Sequence, residues 1–439
     1  MNVPLIKVGI MSEPQVAFAF SGDYRCGDTI VTGRHEASVV DGKILWNGKS
    51  YADVLFEPVD SSSASFELHN VTIGVNFHWQ RKENQRFRGA LHLIVENGCV
   101  TTVNILSVEE YLVSVISSEM SATASENLLK AHAVISRSWL LAQIDKTRRL
   151  AQSADKYVSA TVTDDEILRW YDREDHVNFD VCADDHCQRY QGITRASTPV
   201  VRKAVDETCG EVLMYGASLC DARFSKCCGG VLEQFEACWE PVHHNYLEPR
   251  SDSPAENVFP DLTVEENARE WILSSPEAFC NTTDATILSQ VLNNYDQETT
   301  NFYRWKVEYS QNELSELVHR RLGIDFGNII DLVPVERGVS GRLIRLKIVG
   351  DKRTMTIGKE LEIRRTLSPS HLYSSAFVVE RNADDNGNVR FTLHGAGWGH
   401  GVGLCQIGAA VMGAKGYNYR EILMHYFVDA EIKKLYNHE

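Results

Sequence analysis

Five glycines at every second position, Gly395, Gly397, Gly399, Gly401 and Gly403, run through the segment GAGWGHGVG near the end of this 439-residue chain. Glycine in a helix interior costs roughly 1 kcal/mol relative to alanine, so this density excludes a helix. The spacing predicts extended backbone, in which successive side chains point to opposite faces. One face is then bare and admits close backbone approach, either to a packed neighbour or to a ligand in a groove. The other presents Ala396, Trp398, His400 and Val402 together. No register yields G-x-G-x-x-G, because the sixth position holds His400, Val402, Leu404 or Gln406, so a dinucleotide fingerprint is excluded.

Upstream of this run, short alternating stretches such as GALHLIVENGCVTTVNIL, broken by the turn pair Asn97-Gly98, predict a β-rich region over residues 1–106. Residues 107–242 open with two helices and continue through short strands to a Gly-Gly turn. The stretch 243–301 is rich in Asp, Glu, Asn and Ser and reads as a polar insertion with a helical patch at VEENAREWILSS. Strands return over 302–439, at YRWKVEYS, RLIRLKIVG and AFVVERN, before C-terminal helices. The fold class expected is α+β, strand-rich, with a central helical segment.

A net charge of −16 without clustered Lys and Arg argues against nucleic acid and acidic membrane surfaces as partners. No apolar run reaches the length of a transmembrane helix. The first residues lack the pattern of a secretory signal, so a cytoplasmic location is one expectation and a missing targeting segment the other. Walker A, H-E-x-x-H and G-x-S-x-G sequences are absent.

Ser107-Val108-Glu109-Glu110 reads as a capping box for a helix ending near Ile116, and Thr123-Ala124-Ser125-Glu126 as a second box for the next helix. The second helix carries Leu128, Ala131, Ile135 and Trp139 on one stripe and Leu129, Ala133 and Leu140 beside it, the pattern of a buried helix. Glu119 belongs to neither box and precedes the apolar Met120. An acid in such a joint is expected to be partly desolvated, which raises its pKa and lets it donate a proton near neutrality. Glycosidic cleavage normally takes two carboxylates. One suffices where the substrate supplies its own nucleophile, as muramic acid does with its 6-hydroxyl: the acid protonates the bridging oxygen and then takes the hydroxyl proton.

His176, Cys182 and Cys187 place three zinc-type ligands within twelve positions, with His186 as a possible fourth. The alternative is that these are inert thiols. The cysteine total is eleven, spread over a large chain, which does not read as a disulfide framework.

Three stretches of the chain resemble the family of stage II sporulation protein D and the amidase enhancers. They are VEEYLVSVISSEMSATASENLLKAHAVISRSWLL, FSKCCGGVLEQFEACW and GAGWGHGVGLCQIGAAVMGAKGYNYREILMHYF. The resemblance implies a lytic transglycosylase that cleaves peptidoglycan between N-acetylmuramic acid and N-acetylglucosamine, acting at the cell envelope, with Glu119 as the catalytic acid. It implies zinc on His176, Cys182 and Cys187. It also implies a glycan cleft drawn from Lys130, His132, Arg137, Gln188, Tyr190, Ser225, Gly229, Gly230, Trp398, His400 and Gln406. The alternative it carries is a non-catalytic, peptidoglycan-binding enhancer of a partner amidase. The chain departs from the family pattern at Ser121 (usually Pro), His132 (usually Gln), Cys227 and Cys228 (usually small and polar) and Cys405 (usually Ser).

Overall fold

The computed structural model describes residues 3–74, 80–121, 124–152, 158–170, 176–184, 187–194, 198–254, 258–291, 300–385 and 387–437. Among the described residues, ten strands lie between Leu5 and Ser107, paired antiparallel to one another. Asn97 and Gly98 both take positive φ (50° and 79°) and close the hairpin between Ala90–Glu96 and Cys99–Ser107, the twist that a two-residue primed turn supplies.

The last strand runs directly into helix α1 (Val108–Glu119), with Ser107 as N-cap accepting from Glu110 N at 3.2 Å. The reciprocal arm of the predicted box is not made, because the Glu110 carboxylate pairs with Arg202 at 2.7 and 3.1 Å. The helix also runs a turn beyond Ile116. Ser117 Oγ donates back to Val113 O (2.7 Å) and Met120 N to Ile116 O (2.8 Å), so the serines do not compete with the helix. Glu119 is therefore the last helical residue rather than part of a loop.

Helix α2 (Glu126–Gln152) is capped by Ser125, whose Oγ accepts from Leu128 N at 3.2 Å. Thr123 of the predicted box lies outside the described residues. Every apolar residue named for its two stripes is buried.

One apolar core joins the first sheet, α1, α2 and the C-terminal helices. Tyr246, Leu247, Phe279, Cys280, Leu288 and Val291 belong to it, so the described parts of the polar stretch 243–301 contribute to this core. The buried apolar residues of that stretch come in short groups, Tyr246-Leu247, Phe279-Cys280 and Ile287-Leu288, set in a polar composition that masks them. The helix Ala285–Val291 also closes the joint after Glu119: Ser121 N donates to Gln290 O (2.9 Å) and Ser125 N to Gln290 Oε1 (3.1 Å). A second core, with Trp305, Leu314, Leu346, Ile363 and Leu393, lies beneath the strands Arg304–Ser310, Leu343–Gly350 and Phe377–Ala383. The molecule is α+β with strands dominating. Among the described residues no helix is long and apolar enough to cross a membrane.

Candidate functional site

The glycine run is not an extended strand. The strand Val389–Ala396 takes in only Gly395, the first of the five, and Gly397, Gly399, Gly401 and Gly403 have φ of 75°, 91°, 76° and 71°. Left-handed backbone at every second residue is open to glycine at little cost. The resulting ribbon aims its amides at the segment 223–233. Trp398 and Cys227 exchange backbone bonds of 2.8 and 3.0 Å, Leu404 N reaches Arg223 O (3.0 Å) and Glu233 N reaches Gly401 O (2.9 Å). A Cβ on Gly397 would stand 2.7 Å from Cys227 O, on Gly401 2.4 Å from Arg342 Cζ, and on Gly403 2.2 Å from Arg223 O. The bare positions are filled by protein and offer no open groove there. Gly229 abuts Gly397 N (3.0 Å) and Gly230 abuts Tyr303 Oη (2.7 Å) in the same sense.

The motifs at 224–239 and 395–406 thus form one unit. Ser225 Oγ accepts from Gly401 N (3.2 Å). Trp398 is half-buried, stacked on Phe302 (4.8 Å) with Tyr373 edge-on (5.0 Å). His400 Nδ1 accepts from Val402 N (3.1 Å) and the ring meets Trp239 edge-on at 4.8 Å. Burial, with Arg223 and Arg342 nearby, pushes its pKa well below the ordinary value.

Gln406 starts the helix Gln406–Ala414 and faces His132, with Gln406 Nε2 and His132 Nε2 3.2 Å apart. The amide donating there leaves His132 Nδ1–H to donate to Ser136 Oγ at 3.1 Å. Burial, aided by Lys226, takes the His132 pKa down to about 3. A neutral imidazole in the folded chain and an ordinary one near 6.5 in the unfolded chain make the sign plain. The stability is fully present above 6.5 and falls as pH drops towards about 3, by up to about 1.4 kcal/mol per pH unit. His132→Gln, the residue usual in the family pattern, is expected to flatten this acid slope in urea unfolding at pH 5 against pH 8. An unchanged slope would contradict it.

The other residues expected in the cleft are dispersed. Lys130 lies in an ion cluster with Glu126 (2.6 Å) and Glu207. Arg137 has no exposed surface and forms a two-pronged pair with Glu109 at 3.0 and 2.6 Å, so it offers no group to a ligand. Gln188 is buried against Tyr111 and Ser136, and Tyr190 donates to Asn104 Oδ1 at 2.6 Å. Tyr190 also lines a cavity of ≈ 200 Å³ with Glu110, Ser114, Ser117, Ile193 and Arg202. At about 100° per residue, Glu119 projects from the opposite side of α1 to Glu110. Glu119 is half-buried, and among the described residues it has no hydrogen-bond or ion partner.

His176, Cys182 and Cys187 do come together. Their ligand atoms lie within 4.8 Å of one another, with Cys187 Sγ 3.4 Å from His176 Nε2. The strand Val181–Cys182 pairs with Val8–Gly9, which anchors the trio to the first sheet. His186 lies outside the described residues.

Sequence reasoning missed Glu233 and Arg342. The buried Glu233 carboxylate accepts from Val339 N (3.1 Å), Ser340 N (3.2 Å) and Ser340 Oγ (2.6 Å), and desolvation raises its pKa. Arg342 is buried and donates to Gly399 O (3.0 Å), Cys228 O (3.0 Å) and Ser340 Oγ (2.9 Å). Together they brace the glycine ribbon from behind. Glu233 was visible as the acid following the Gly-Gly turn; Arg342 sits in an ordinary strand sequence and carried no signal.

Comparison with known proteins fits this architecture. Residues 96–215 match the family model described as Stage II sporulation protein, and residues 233–403 match a domain of unknown function (DUF8618). Over that first stretch the chain is similar to the family of stage II sporulation protein D, and proteins named stage II sporulation protein D and amidase enhancer are among its relatives. It is 26% identical to an uncharacterized protein of Brachyspira hyodysenteriae over 79% of this chain and 72% of that one. It is 22% identical to the stage II sporulation protein D of Bacillus amyloliquefaciens, over 76% of each. It is 24% identical to the amidase enhancer of Bacillus subtilis over 51% of this chain and 31% of that protein.

Proposed function

We propose that this protein cleaves peptidoglycan glycan strands between N-acetylmuramic acid and N-acetylglucosamine, as a lytic transglycosylase acting at the cell envelope. The observation that carries this reading is the state of the acids on α1. Glu109 and Glu110 are committed to Arg137 and Arg202, whereas Glu119, in the Ser-Glu-Met motif, is half-buried without a partner among the described residues. Its carboxyl protonates the glycosidic oxygen as the bond to the muramic C1 breaks. The muramic 6-hydroxyl closes on C1, and the Glu119 carboxylate takes the hydroxyl proton. The products are a free N-acetylglucosamine hydroxyl and a 1,6-anhydro end, with no water consumed. Digestion of purified glycan strands by wild type and Glu119→Gln, read by mass spectrometry for anhydro ends, tests it.

The relative named amidase enhancer supports a second reading, a glycan-binding partner of a cell-wall amidase. Strand binding or amidase acceleration with no anhydro ends from the wild type would favour it.

His176, Cys182 and Cys187 would hold a zinc ion in either reading. The donor set suits zinc and the mutual distances fit one ion. Bound there, the metal would fix His176 and Cys187 to the strand Val181–Cys182, which pairs with the first sheet. Cys182→Ser or Cys187→Ser is expected to lower zinc by about one equivalent in elemental analysis. Unchanged metal in both would end the assignment.

A further inference from the structure

Three of the departures from the family pattern, Cys227, Cys228 and Cys405, meet in space at the seam between the Gly-Gly turn and the glycine ribbon. A fourth thiol, Cys280, and a carboxylate, Asp252, arrive from the 243–301 stretch. The ligand atoms of Cys228, Asp252, Cys280 and Cys405 all lie within 4.8 Å of one another, and all four residues are buried. The geometry points to a metal centre at which these four side chains hold a single divalent cation of the zinc type.

The distances favour one ion. Ligand sulfurs at about 2.3 Å from a tetrahedral zinc stand about 3.8 Å apart, and Cys228 Sγ and Cys280 Sγ are 3.5 Å apart. Thiolate-rich sets select zinc and softer ions over magnesium or calcium, and a four-ligand set closed to solvent is the structural type.

The surroundings are arranged for thiolates. Cys228 N lies 3.2 Å from Cys405 Sγ, and Gly230 N lies 3.4 Å from Cys228 Sγ. Backbone donors turned towards sulfur stabilise a negative ligand, and the positive φ of Gly229 and Gly230 makes the turn that presents them. Asp252 has no exposed surface. Its Oδ2 accepts from Cys280 N (3.1 Å) and its Oδ1 from Tyr426 Oη (2.9 Å), while His425 Nε2 stands off at 3.6 Å. A carboxylate so buried is costly without a counter-charge, and a dication supplies it. Binding exchanges the three thiol protons to solvent. The excess negative charge faces those amides and Arg342, which donates to Cys228 O. A disulfide would use two of the thiols and leave the carboxylate uncompensated.

The test uses the full chain with the first trio removed by Cys182→Ser/Cys187→Ser, which leaves one of the two ligand clusters found among the described residues. After purification without chelator and loading with zinc, elemental analysis is expected to find about one zinc per chain. Adding Cys280→Ser or Cys405→Ser, each checked by circular dichroism, is expected to bring it below a tenth. Cobalt loading of the double variant gives thiolate charge-transfer absorption in the near ultraviolet, a readout that needs no further substitution and holds even where those variants fail to fold. A folded double variant that takes up less than a tenth of an equivalent of zinc would overturn the assignment. Mass spectrometry after alkylation showing Cys228, Cys280 or Cys405 in a disulfide would do the same.

Discussion

Glu119→Gln is expected to leave the fold intact and to remove release of anhydromuramyl ends, a loss of at least about 10²–10⁴-fold if proton transfer alone is forfeited. The fold should survive because the carboxyl is half-buried and bonds to nothing among the described residues, so an isosteric amide takes nothing from the packing. The helix end is fixed by Met120 N on Ile116 O, a backbone bond that the substitution leaves alone. Activity should vanish because an amide can neither give the proton that the leaving oxygen needs nor accept one from the 6-hydroxyl. Product yield equal to wild type would remove the acid from the mechanism. A variant that still binds strands but makes no anhydro ends is the result expected.

Arg137→Ala is expected to be the most damaging change to stability, by about 3–5 kcal/mol, the cost of leaving the partner of a buried ion pair uncompensated. Arg137 and Glu109 side chains are 0% and 4% exposed. The Glu109 carboxylate additionally holds Tyr436 Oη (2.8 Å) and Gly210 N (3.3 Å), and Arg137 holds Glu211 O (2.9 Å). One pair therefore ties α1, α2, the strand Glu211–Tyr215 and the last strand's exit together. Urea unfolding measures the loss, and replacing both partners by Met and Leu is expected to recover much of it, since a well-packed apolar pair avoids the desolvation cost. An Arg137→Ala midpoint equal to wild type would mean that the pair contributes nothing.

Local signals were the ones that could be read. The Asn97-Gly98 hairpin, the α2 stripes and the His176, Cys182, Cys187 trio all depend on residues close in sequence, and periodicity or spacing exposes them. The glycine ribbon was misread because a period of two is shared by a flat strand and by backbone that turns left-handed at alternate residues. Only the neighbour pressed against it decides which forms. Helix α1 runs past Ile116 to Glu119 because Ser117 bonds back to Val113 O, which the capping signals at its start do not reveal. The role of Arg137 was invisible, since a helix sequence does not say that a guanidinium meets a carboxylate 28 positions away. The Cys228, Asp252, Cys280 and Cys405 cluster spans 177 positions, and nothing short-range links its members.

The interleaving of the chain bears on how it can be handled. The recognisable stretch 96–215 draws a strand partner from Leu5–Glu13, a phenol from Tyr436 and the closure beside Ser121 from Gln290. Excised by itself, that piece would leave the Cys99–Ser107 strand without its Leu5–Glu13 partner and part of the shared core uncovered. Its homology marks ancestry, then, and not a portable unit.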